Sequence, residues 1–62
     1  MATNLEIKIV QRSTLYDLLK LKKDTEATGA DATRIFESIN RLEASMEQED
    51  VAWVEKKISE LP

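Results

Sequence analysis

The chain has 62 residues, with no cysteine, no histidine and a net charge of −3. A chain this short forms one domain and buries roughly 60% of its unfolded surface, so it needs a stabiliser beyond its own core. Composition excludes disulfides, thiolate or imidazole zinc sites and catalysis by histidine or cysteine, which leaves a second subunit as the favoured stabiliser.

The charge is unevenly placed. Residues 1–23 carry five Lys/Arg against two Asp/Glu, and residues 24–62 carry four against ten. Such a split suits a basic end for an anionic partner and an acidic end for a basic one, and it also arises by scatter in short chains. The start, Met1-Ala2-Thr3-Asn4, lacks the basic run and apolar stretch of a signal peptide. No apolar run approaches the ~20 residues that span a bilayer. A cytoplasmic protein without membrane contact is therefore expected. One Gly and one Pro leave few breaks and no linker, and abundant Ala, Leu, Glu and Lys favour helix.

Residues 1–12 have two readings. Leu5, Ile7 and Ile9 alternate with Glu6 and Lys8, the period of a strand, which would pair with the same segment of a second subunit. The other reading has Asn4 capping a long helix through residue 28. It puts Ile7, Val10, Leu18 and Leu21 on one face and Leu5, Ile9 and Tyr16 on another, and two apolar faces again call for a second chain. The strand is the favoured expectation.

A helix is predicted over 13–28. Ser13 or Thr14 caps it, Asp17 stands three residues after Thr14, and Leu15, Leu18, Leu19 and Leu21 share a broad face. Gly29 ends it in the left-handed conformation. A second helix is predicted over 31–48, with Asp31 as cap. Its apolar stripe runs Ala32, Ile35, Ile39, Leu42 and Met46, widened by Phe36, with Arg34, Glu37, Ser38, Arg41 and Ser45 opposite. Packing inside a small bundle explains that spacing more simply than a coiled coil. The third helix, over 50–61, takes Asp50 as cap and Val51, Val54, Ile58 and Leu61 as its buried side. The expected architecture over residues 1–62 is one mainly α domain. It is a small three-helix bundle, or a helical hairpin plus a short third helix, with an N-terminal strand-like arm or helix extension, as a homodimer.

No chemistry-bearing constellation stands out. The serines lack an imidazole to activate them and suit caps or wet faces. A phosphate-cradling loop needs more than the single Gly29. Glu47, Glu49 and Asp50 lack the ligand spacing of a calcium loop and are expected to be solvated. Neither a cofactor nor a small-molecule substrate is suggested.

Trp53 is the most informative residue. At 100° per residue it falls nearly opposite the Val51–Leu61 stripe, among Lys56, Lys57 and Glu60. It either packs back on the end of the central helix or anchors a partner, a role in which tryptophan is enriched. Tyr16 lies off the main leucine face, where its phenol can meet water or a neighbouring subunit. Trp53, Tyr16, Lys57 and Glu60 are thus the protein-interaction candidates. They suit a small non-enzymatic regulatory or inhibitory protein that binds another protein through helix faces.

A second reading starts from the basic residues Lys8, Arg12, Lys20 and Lys23; on a helix Lys20 and Lys23 sit about 60° apart. An alternating strand, a helix, a Gly-containing turn and a second helix, with Asp31 two residues after Gly29, resembles the ribbon-helix-helix family over about residues 5 to 46. That resemblance implies a dimeric DNA-binding repressor or an antitoxin-like protein. Its paired strands would enter the major groove with Glu6 and Lys8 outward and Leu5, Ile7 and Ile9 inward.

Overall fold

A computed structural model describes residues 3–62. Those residues form three α-helices, α1 (Asn4–Ala27), α2 (Thr33–Ala44) and α3 (Gln48–Ser59). No strand occurs among the described residues. The mainly helical expectation is met, and the N-terminal strand is corrected: Leu5, Ile7 and Ile9 lie in the first turns of α1. Positions 1–2 of the expected arm lie outside the described residues.

The physical reason is local. The Thr3 side chain accepts a hydrogen bond from the Glu6 amide at 3.1 Å, and the Glu6 carboxylate accepts one from the Thr3 amide at 3.4 Å. This reciprocal capping box starts the helix and satisfies two free amides without a second chain, whereas a lone strand leaves its backbone groups unpaired. The cap is Thr3 rather than Asn4, and Ser13 and Thr14, expected as caps, sit within the helix. At the other end Gly29 adopts φ 79°. The Gly29 and Ala30 amides donate to the carbonyls of Glu26 and Thr25 at 3.0 and 3.2 Å. That paired closure is open to glycine because it has no Cβ to clash in the left-handed region.

The central helix is shorter than the predicted 31–48. The Asp31 carboxylate accepts hydrogen bonds from the Thr33 amide at 3.0 Å and the Thr33 hydroxyl at 2.5 Å. It therefore does a cap's work from one residue outside the boundary residue, Ala32. The third helix begins two residues before the predicted start, so Asp50 is inside its first turn rather than capping it.

α1 is the spine. At 24 residues it spans about 36 Å, close to the 40 Å length of the molecule. α2 and α3 both pack on it and hardly on each other. The Gln11 amide donates to the Ser45 carbonyl at the end of α2, and the Lys22 ammonium lies over the ring of Phe36 near its start, so α2 runs antiparallel to α1. Arg12 meets Asp50 at the start of α3, and Ile58 near its end sits with Leu19, Lys22 and Lys23, so α3 runs parallel to α1. The first turns of α1 lie beside the α2–α3 connection, where Asn4, Ile7 and Lys8 share a groove with Ser45 and Glu47.

Each helix gives the core one buried apolar side chain: Leu15, Ile39 and Val54. Tyr16, Leu18, Leu19, Ile35, Leu42, Met46 and Val51 pack around them. The stripes read from α2 and α3 are the faces that turn inward, except that Phe36, expected to widen the α2 stripe, is 50% exposed. No helix among the described residues is long and apolar enough to cross a membrane.

Candidate functional site: the α1–α3 groove around Trp53

Along α1, Ile9, Arg12, Ser13 and Tyr16 recur at helical spacing on the side that faces α3, and α3 answers with Trp53 and Lys57 one turn apart. Together they line an open groove of about 470 Å³. Trp53 stays 44% exposed because the core side of α3 is already taken by Val51, Val54 and Ile58. Its ring does not fold onto the end of the central helix. Instead the Arg12 guanidinium lies 4.6 Å from the ring centroid, and the Lys57 ammonium is 5.5 Å away. Both are cation–π distances.

Arg12 is held from its other side. Its Nε and Nη2 donate to Asp50 Oδ1 at 2.9 and 2.6 Å. Asp50 is 1% exposed, and its Oδ2 accepts no hydrogen bond, with the Lys8 ammonium at 3.4 Å as its charge partner. Lys8 also meets Glu47 at 2.8 Å and Glu49 at 3.9 Å. The carboxylate cluster expected to be solvated is thus tied to α1, with Asp50 buried. The hydrogen bonds from Arg12 hold the Asp50 carboxyl below the usual carboxylate range, burial opposes them, and the Lys8 and Arg12 charges add to the lowering. Lys8 is raised above the ordinary lysine value, chiefly by its hydrogen bond to Glu47. The Asp50–Arg12–Trp53 chain of contacts fixes the ring over the groove. A preorganised aromatic of this kind loses little freedom when it binds.

Three of the four protein-interaction candidates come together here. Tyr16, Trp53 and Lys57 line the groove, while Glu60 stands behind Lys57, at 4.0 Å from its ammonium. The nucleic-acid candidates do not form a surface. Lys8 and Arg12 are bound to carboxylates, Lys23 lines a separate shallow groove with Leu19 and Ile58, and Lys20 is exposed on its own. The residues that the ribbon-helix-helix resemblance would place in paired strands are helical, so the likeness does not extend to the fold.

Ile9 and Ser13 were not among the sequence candidates. Their signal was the spacing of Leu5, Ile9 and Tyr16 in the long-helix reading. The role of Asp50 had no local signal, since its partner is 38 residues away.

The groove offers an apolar floor, a half-exposed indole and two cations beside it. Such a surface suits apolar groups flanked by negative charge. Comparison of the chain with models of known protein families, with curated proteins and with solved structures gives no match.

Proposed function

We propose that this chain is a small non-enzymatic regulatory or inhibitory protein that acts by docking a helix in the α1–α3 groove. The observation that carries the reading is Trp53. A large aromatic is left half-exposed, braced by Arg12 at 4.6 Å, and bordered by Ile9 and Tyr16. A side chain that serves only the core would be turned inward, and aromatic residues in rigid settings are the usual centres of binding energy. The complete absence of histidine and cysteine from the sequence agrees with a role without catalysis.

The test is a comparison of co-purifying proteins from the native cell using wild type, Trp53→Ala and Lys23→Ala as bait. Trp53→Ala is expected to keep the circular dichroism spectrum and to shift the melting temperature by only a few degrees, because the ring is not in the core. A specific partner retained by wild type and Lys23→Ala is expected to fall at least ~30-fold with Trp53→Ala, the size of a binding hot spot. Equal recovery with all three baits would refute the groove as the docking surface.

A further inference from the structure

We infer that the α1–α3 groove is also the site of a free, apolar monocarboxylic acid, medium-chain or aromatic, whose carboxylate meets Lys57 and whose apolar body lies along Trp53, Tyr16 and Ile9. The inference rests on the groove being a binding surface and not on a helix being what docks there. At about 470 Å³ the groove falls among the clefts that take small molecules, which are lined by apolar and aromatic side chains with a few polar groups. Because α3 runs parallel to α1, with Asp50 level with Arg12, Lys57 stands toward the Tyr16 end and Ile9 at the opposite one. The groove thus has a polar end and an apolar end. From Ile9 to Tyr16 its α1 wall runs about 10 Å, the length of a medium-chain acid.

Charge decides which kind of small molecule fits. Two cations and no carboxylate line the groove. Arg12 is already engaged, since its Nε and Nη2 both donate to Asp50, which is buried behind it. Lys57 is open to an acceptor. The Glu60 carboxylate is 4.0 Å from its ammonium, beyond hydrogen-bond distance, and both side chains are about half exposed. The Lys57 ammonium is also 5.5 Å from the indole centroid, so an acid group held there brings the atoms behind it onto Trp53. Outside the groove the sign changes. Glu6, Asp17 and Asp24 lie beyond Ser13 on the outer flank of α1, about 60–80° from Ile9 around the helix. An anion that fits within the groove avoids them, and a longer run of negative charge does not. A single carboxylate on a short apolar body satisfies both conditions.

Trp53 is the one tryptophan in the chain, so its emission reports the groove. Octanoate is the probe, titrated below its micellar range into the pure chain, with octanol as the uncharged counterpart and circular dichroism recorded in parallel. A saturable blue shift at one octanoate per chain is expected, with octanol bound about 10-fold more weakly because it lacks the charged contact. Lys57→Gln should remove that preference and leave octanol binding unchanged, whereas Lys57→Arg should keep it. Ile9→Gln, at a position 58% exposed, should weaken both probes together by at least ~3-fold. No saturable shift, equal affinity for the two probes, a preference that survives Lys57→Gln, or a shift that comes with loss of helix overturns the proposal. A larger shift with anionic phospholipid vesicles than with octanoate assigns the face to a membrane surface and overturns it as well. The titration involves no protein partner, so its failure leaves the co-purification comparison standing.

Discussion

Asp50→Asn is expected to lower the melting temperature by on the order of 10 °C at neutral pH. The substitution keeps the size of the side chain and removes its charge, so Arg12 and Lys8 lose the carboxylate that ties α3 to α1. A pair with its carboxylate buried and its cation partly exposed is costlier to break from the buried side than to replace whole. The double variant Arg12→Met, Asp50→Leu should therefore recover most of the loss, although Trp53 would lose the cation that braces it. Thermal melts of the three proteins decide this. Equal melting of Asp50→Asn and wild type would mean that the Arg12–Asp50 contact adds nothing to stability.

The same pair fixes the pH dependence. A folded-state carboxyl lowered below its unfolded value gives stability that is present above the ordinary carboxylate pKa and lost as pH falls through the folded one. Asp50 is such a group, and so is Asp31, lowered by its hydrogen bonds from Thr33. Lys8 is raised, so its contribution is full below the ordinary lysine value and is lost as pH climbs through the higher folded one. Glu43 works in the opposite direction, raised by burial and then by Glu55, so acid relieves a penalty there. A plateau is expected across neutral pH, with falls below about pH 4 and above about pH 10.5. The acid fall should be shallower in Asp50→Asn, which separates Asp50 from the other carboxylates.

Leu15→Ala is expected to cost about 3 kcal/mol, within the range for a large aliphatic truncated in a core. Leu15 is wholly enclosed and lies on the one helix that both others pack against. Its loss opens a void at the meeting of all three helices, and the better helix propensity of alanine offsets only a small part. Leu21→Ala is the internal control. It is the same chemical change on the same helix at a position 51% exposed, and it should cost well under half as much. Denaturant unfolding of both variants measures the contrast, and similar losses would contradict the burial pattern.

Several features were legible because their causes are local. The stripe from Ile35 to Met46 has one period and faces the core, and Gly29 stops α1 because a left-handed residue is needed there. The direction of Trp53 followed from its angle around α3. The start of α1 was misread because three apolar residues at a spacing of two fit a strand and also fit the two sides of a helix. The deciding signal was the Thr3–Glu6 pair that brackets Leu5. Asp50 was misread for a different reason. An acidic residue near a helix start usually serves nearby amides, but here Arg12 from a distant turn provides the stronger donors. Which cation would meet which carboxylate depends on α3 running parallel to α1, a fact held in no short stretch of sequence.

Because α2 and α3 each rest on α1 and hardly on one another, the molecule should assemble in a set order. The α1–α2 hairpin closes across the short connection 28–32, at little entropic cost, and gains Leu15 against Ile39 early. α3 has no comparable local partner and docks last, when Asp50 reaches back across 38 residues to Arg12. Its amides should exchange with deuterium before those in the middle of α1 and α2, through openings that leave the hairpin intact. Each such opening takes Trp53 away from Tyr16 and dismantles the groove, so the lifetime of the binding surface would be set by the undocking of α3 rather than by global unfolding.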